Sequence, residues 1–207
     1  MTDQPRQYNM RRRAESQLET RRRITESAVE LHGTLGPSRT SMSAVAEHAG
    51  VRRSTLYRHF PDEAALFDAC SAHWSAANPP PDLGAWEAID SPEHRLAVAL
   101  DELYGYYGRA ANMLENLFRD EHTVPVVRER FAAFHGYLAA AADTLMAGRR
   151  SRHAARRRVR GAVGLALAFS TWRTLVAEQG LDPAEARRLM CALVDTAAAR
   201  AAVRDAA

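Results

Sequence analysis

Residues 40–67 read TSMSAVAEHAGVRRSTLYRHFPDEAALF, and the fold turns on how this stretch is parsed. Thr40, Ser41 and Ser43 offer oxygens to the exposed amides that open a short helix, and Met42, Val45, Ala46 and Ala49 form its apolar stripe. Gly50 permits a sharp turn. Its small size is expected to let two helices approach closely, with Val51 plugging the angle between them. A second short helix runs from about Arg52 to His59, anchored by Leu56 and Phe60. Pro61-Asp62 ends it and opens another, with Leu66, Phe67, Cys70 and Trp74 on its inner face. Two short helices joined by a tight turn within roughly twenty residues have the layout of a DNA-reading helix-turn-helix.

The residue types suit that task. Arg52, Arg53, Ser54 and Thr55 stand at the start of the second helix, the end that enters a major groove, where arginine can bond guanine O6 and N7 together. Tyr57, Arg58 and His59 are placed to reach phosphates, as are the hydroxyls of Thr40, Ser41 and Ser43 at a helix N-terminus whose amides attract anions. A packing motif with no nucleic-acid role would account for the apolar stripe, but not for Arg52, Arg53, Arg58 and His59 on the opposite face.

Upstream, Ile24, Ala28, Leu31 and Leu35 repeat at helical spacing until Gly36-Pro37 stops them. Downstream, Asn78-Pro79-Pro80-Pro81 cannot be helical, and a loop is expected as far as Asp90. Ser91-Pro92-Glu93 opens a helix with Leu96, Leu100, Leu103, Tyr104 and Tyr107 on its buried face. Gly105 and Gly108 weaken its end, so Met113, Leu114, Leu117 and Phe118 are expected to form a separate short helix. After Pro125 a long helix carries Val127, Phe131, Phe134, Leu138 and Leu145. A basic loop from Arg149 to Arg158 leads to a helix that is apolar on every side from Ala162 to Phe169. Asp182-Pro183-Ala184-Glu185 has the layout of a capping box and opens the last helix, with Leu189, Ala192, Leu193 and Thr196 expected to face inward. Alternation of strand length is missing throughout, so the chain reads as all-α, with about nine helices.

Composition narrows the function classes. The 207 residues are 46% hydrophobic and 26% charged, enough for one substantial core or a core with a small satellite domain. The apolar run Gly161–Phe169 falls far short of the ~20 residues that cross a bilayer, and the N-terminus has no apolar region of the kind a secretory signal needs. A cytoplasmic protein without membrane contact is expected. Cys70 and Cys191 sit in helical patterns without metal or disulfide spacing, and are expected to be free thiols. No metal, cofactor or catalytic residue is expected. Every cationic side chain is arginine, and the formal charge is only +3, but the N-terminal third is basic: Arg6, Arg11–Arg13, Arg21–Arg23, Arg39, Arg52, Arg53 and Arg58 precede Phe60. Residues 1–20 are expected to form a disordered basic arm, either a solvated tail or an arm that contacts DNA backbone or minor groove.

The stretch from Arg23 to Phe67, RITESAVELHGTLG followed by TSMSAVAEHAGVRRSTLYRHFPDEAALF, resembles the DNA-binding domain of TetR/AcrR-type regulators. Its most specific part is Ala49-Gly50-Val51 followed by Thr55-Leu56-Tyr57-Arg58-His59-Phe60-Pro61. The resemblance implies DNA contact by Thr40, Ser43, Arg53, Ser54, Thr55, Tyr57 and His59. It implies a DNA-binding domain over 21–67 and a helical effector-binding and dimerisation domain over 68–207. Where the family commonly places a lysine at the start of the fourth helix, this chain has Glu63, which suits the helix dipole but would repel a phosphate.

The function implied is a transcriptional repressor on a palindromic operator, released by a small effector. Two recognition helices must meet half-sites ~34–36 Å apart, which requires a homodimer. Gly161, Gly164, Leu165 and Ala168, with Leu189, Leu193 and Ala197, are the expected interface; a purely intramolecular core is the alternative. Trp74, Tyr104, Tyr107, Met113, Phe118, Phe131, Phe134, Phe169 and Trp172, with His122 and Arg173, are candidates to line a pocket for a lipophilic or aromatic effector. Glu115, Asp120 and His135 are further polar candidates, and ordinary core or surface roles stand beside these readings. Two rivals remain: a regulator controlled by a protein partner or by nothing, and an enzyme. For the latter, Asp120-Glu121-His122 puts acid and base side by side, but adjacent helical residues point apart and no phosphate loop or nucleophile elbow accompanies them.

Overall fold

The computed structural model describes residues 4–149 and 153–204, with side-chain environments for 10–149 and 155–199. Among the described residues there is no strand, as the period of the apolar residues predicts, and there are ten α-helices where about nine were expected. Two compact units form: residues up to Pro79 with Asn112–Phe131, and Pro80–Ala111 with the chain from Ala132 onward.

The first unit contains α1 (Gln4–Thr34), a 3-10 turn at Pro37–Arg39, α2 (Met42–His48), α3 (Arg53–His59) and α4 (Glu63–Ala77). The end of α6 (Pro92–Asp120) and the start of α7 (Pro125–Met146) complete it. The segment expected as a disordered arm continues α1 back to Gln4, because arginine, glutamate, glutamine, alanine and leucine all favour helix. Arg22 braces it through Glu19 at 2.8 Å and Glu26 at 2.7 Å. Side chains from Met10 to Glu19 are exposed, and that of Arg6 lies outside those described. Burial begins at Ile24 and Ala28; Leu35, expected on the same face, is exposed because the helix ends at Thr34. α1 packs on α2 and α4, α2 packs on α3, and the core holds Val45, Leu56, Phe60, Leu66, Phe67, Leu114 and Val127. Leu56 and Phe60 are completely buried, each contributing about 1.5–3 kcal/mol, and they fix which side of α3 faces in.

The second unit holds α5 (Leu83–Glu87), the first part of α6, the remainder of α7, α8 (His153–Leu167), α9 (Phe169–Trp172), a π-helical turn at Arg173–Glu178 and α10 (Pro183–Arg204). Four features depart from the sequence expectation, the first being that α8 already begins at His153, inside the basic loop expected from Arg149 to Arg158. α5 lies inside the expected loop: Asp82 caps it by accepting from the Gly84 amide at 3.0 Å, and buried Trp86 donates to Glu102 at 2.7 Å. α6 is one helix through Gly105 and Gly108, since burial of Leu100, Leu103, Tyr104, Tyr107 and Ala110 outweighs about 1 kcal/mol per glycine. On α10 the inward stripe is Ala186, Met190 and Val194, whereas Leu189, Ala192, Leu193 and Thr196, expected inward, face out. The helix is apolar on more than one side, so spacing alone could not choose between them.

The capping box of α10 forms as expected, with the Ala184 amide 2.9 Å from Asp182 Oδ1 and the Asp182 amide 3.3 Å from Glu185 Oε2. α8 stops at Leu167, where Ala168 turns to φ −68°, ψ 132°. The carbonyls of Ala166 and Leu167 accept from the Tyr104 and Tyr107 hydroxyls at 3.0 and 2.5 Å. Among the described residues no helix is long and apolar enough to cross a membrane.

Candidate nucleic-acid interface

The helix-turn-helix begins where α1 stops, and side chains from the end of α6 hold that stop. The last carbonyls of a helix lack intrahelical partners. Here Asn116 Nδ2 donates to His32 and Gly33 at 2.9 Å each, and Arg119 donates to Leu35 at 3.1 Å. Gly36 turns the chain at φ 93°, and its carbonyl accepts from Thr40 Oγ1 at 2.8 Å. Asp120, 2% exposed, accepts from the Ser38 amide at 2.9 Å and from Arg119 at 2.7 Å. Burial alone raises the Asp120 carboxyl, but the hydrogen bonds from Arg119 and Ser38 outweigh it and hold the group below the usual carboxylate range. Sequence reasoning missed Asn116 and Arg119 as parts of this unit, because more than eighty residues separate them from the carbonyls they cap.

Ser41 caps α2 by accepting from the Ala44 amide at 3.1 Å. At the far end, Gly50 adopts φ 62°, and the Val51 amide closes onto Ala46 at 2.9 Å. A Cβ placed on Gly50 would meet nothing within 4 Å, so the close approach expected there is not the reason for glycine. The left-handed backbone is.

With Leu56 and Phe60 turned inward, α3 shows Arg52, Arg53, Ser54, Tyr57 and Arg58 on its exposed side, and Thr55 and His59 are half-buried beside them. Ser41 and Ser43 are exposed on the first helix of the pair. Thr40 departs from this group: it is 8% exposed and its hydroxyl is committed to Gly36, so it shapes the turn. Arg53 lies 3.4 Å from the Tyr57 hydroxyl, with its guanidinium 5.5 Å from the ring centroid, a contact that pre-orders both side chains. Arg21 of α1 donates to the His59 carbonyl at 2.7 Å and stacks 4.1 Å over Phe60, placing a cation at the negative end of α3. His59 Nε2 is buried without a hydrogen-bond partner among the described residues. Burial, with the charges of Arg58 and Arg21, holds His59 below the ordinary imidazole value, so the ring is neutral at pH 7. Glu63 is exposed in the first turn of α4, behind the Asp62 cap.

The effector candidates fall into two groups. Within the first unit, Phe118 and Phe131 meet edge to face at 4.9 Å, Met113 is buried, Trp74 is half-buried and His122 is exposed. Within the second, Tyr107 meets Phe169 at 5.4 Å and Trp172 at 6.1 Å, Tyr104 lies 6.4 Å from Tyr107, and Phe134 packs on Tyr106 at 6.2 Å. Arg173 lies 3.1 Å from Glu178. A groove of about 460 Å³ in the second unit is lined by Leu83, Glu87, Arg95, Ala140, Asp143, Thr144 and Ala147, none of them an effector candidate. Among the described residues no group of three or more His, Cys, Asp or Glu side chains converges as metal ligands.

An exposed basic helix presented by a helix-turn-helix is the layout of a DNA-binding domain, and comparison with known proteins gives the same class of domain. Residues 24–70 match the family described as bacterial regulatory proteins, tetR family. No curated protein matches the chain. Among solved structures, a Clostridium perfringens protein named as a fatty acid metabolism regulator has a TM-score of 0.61 at 13% identity, covering 84% of this chain and 97% of its own. A TetR-like transcriptional regulator from Rhodococcus has a TM-score of 0.58 at 20% identity, covering 84% and 93%. A TetR transcription regulator from Haloarcula marismortui has a TM-score of 0.58 at 12% identity, covering 86% and 97%. At these identities the likeness is one of fold. Residues 24–70 therefore carry a tetR-family DNA-binding domain, and the fold of the chain is that of solved TetR-type regulators.

Proposed function

We propose that the chain is a dimeric cytoplasmic repressor that grips a palindromic operator through α3 and releases it when a small molecule binds the second unit. The observation that carries the DNA reading is the outward face of α3, where Arg52, Arg53, Ser54, Tyr57 and Arg58 are all exposed on a helix anchored by buried Leu56 and Phe60. Arg52, Arg53, Ser54 and Thr55 read bases, and Tyr57, Arg58, Ser41 and Ser43 hold phosphates. Dimerisation is supported by α8 and α10, which pack together and expose Leu165, Leu189 and Leu193 beside Gly161 and Gly164, with Ala168 and Ala197 half-buried alongside. An outward apolar face of this kind marks an interaction site. Selection of genomic fragments by the purified protein is expected to return an inverted repeat with half-sites ~10 base pairs apart. Arg53→Ala is expected to weaken binding by ~1–3 kcal/mol and relax the preference at one position of each half-site. Selection of no common sequence would overturn the reading.

A ligand is supported by the aromatic nest of Tyr107, Phe169 and Trp172, where Trp172, 6% exposed, leaves its indole N–H without a hydrogen-bond partner among the described residues. A buried donor of this kind is unfavourable until something accepts from it. The fitting effector is an aromatic or lipophilic molecule carrying one acceptor oxygen. In a thermal-shift screen of such compounds, at least one is expected to raise the melting temperature and to release operator DNA. A flat response across the panel would sink the effector half of the proposal and leave the DNA half standing.

A further inference from the structure

The geometry points to a second DNA-contacting element: the N-terminal extension of α1, whose arginines hold phosphates beside the helix-turn-helix. From Met10 to Arg23 the chain carries six arginines against two glutamates, and all side chains from Met10 to Glu19 are exposed. A helical segment whose side chains are all exposed contributes no core, so its charge must serve solvent or a partner. Arg22 is matched by Glu19 and Glu26, but Arg11, Arg13 and Arg23 have no ion pair among the described residues.

Position selects the partner. Arg21 touches the C-terminal end of α3 through the His59 carbonyl and the Phe60 ring. The extension therefore departs from the recognition helix itself, and Arg11–Arg13 lie ~12–15 Å farther along the axis of α1. Arg12 and Arg23, eleven residues apart, fall on one side of the helix about 16 Å from each other. Planar guanidinium groups repeated at that spacing suit phosphates two or more steps apart on a duplex already engaged by α3. Long exposed side chains with no packing to aim them grip backbone without reading sequence.

This inference rests on the DNA reading above, and the test separates the two. In the full chain, Arg11→Ala/Arg12→Ala/Arg13→Ala is compared with wild type on the selected operator and on scrambled duplex from about 50 to 200 mM salt. The slope of log affinity against log salt is expected to fall by ~1–3, since each lost phosphate contact removes about 0.9. Affinity should drop by about tenfold on both duplexes, leaving their ratio and the melting temperature unchanged. The arginine-to-lysine triple variant should keep most of the slope, which loss of helix would not predict. Equal slopes for wild type and the alanine variant would overturn the extension's role alone; a wild-type chain with no affinity for any duplex would remove both proposals.

Discussion

Lowering the pH from 7 to 4 is expected to remove about 3 kcal/mol of stability from the N-terminal unit, through His32. This side chain is 8% exposed on α1, packs on Phe67 at 5.5 Å and lies with Nδ1 3.4 Å from Cys70 Sγ. Burial lowers its pKa from 6.5 to about 4, offset only in part by the charge of Asp120. The unfolded chain takes up a proton near pH 6.5, and the folded protein does not until about 4. Stability is therefore fully present above 6.5 and falls as the pH drops through that window, at about 1.4 kcal/mol per unit. The neighbouring thiol adds nothing there, because burial pushes Cys70 up to about 12. Urea midpoints measured against pH check this: His32→Gln should flatten the profile between 6.5 and 4. Parallel profiles for wild type and variant would assign the acid sensitivity elsewhere. Asp120, whose carboxyl is held low, contributes in the opposite part of the acid range, and its share is lost only as the pH falls through its depressed value.

Gly36→Ala is expected to cost roughly 3 kcal/mol, from backbone strain together with steric displacement. At φ 93°, ψ 156° the residue occupies a region that side chains rarely enter. A Cβ there meets the Arg119 guanidinium and lies 2.7 Å from Asp120 Oδ2. The arginine could swing away, but that would strip the buried carboxylate of its charged partner and free the Leu35 carbonyl. Gly50→Ala is the internal comparison: its Cβ would meet nothing within 4 Å, so only the left-handed φ of 62° opposes it, at about 1 kcal/mol. Equal losses in thermal melts of the two variants would mean that the Arg119–Asp120 contact with the turn is not what makes Gly36 necessary. If the larger loss appears, operator binding should fall with it, because the same turn launches α2.

Much of the helix-turn-helix was legible in advance because its signals are local. The hydroxyl before Met42, the left-handed glycine at 50 and the proline after Phe60 act within a few residues of themselves, and the alternation of inward Leu56 and Phe60 with outward arginines needs only the helical period. The role of Thr40 in the turn was not legible for the same local reason: a hydroxyl near a helix start suits an anion or a turn equally, and here it donates to the carbonyl of Gly36.

Sequence alone determined that the chain is helical, where its helix-turn-helix lies and which side of α3 is cationic, because these follow from short-range backbone preferences and from one amphipathic period. Tertiary structure decided which apolar stripe of α10 is covered, that α6 continues through two glycines, and that Asn116, Arg119 and Asp120 close the end of α1. Those outcomes depend on residues far apart in the chain competing for the same buried space and the same unpaired carbonyls, and no local pattern records who wins.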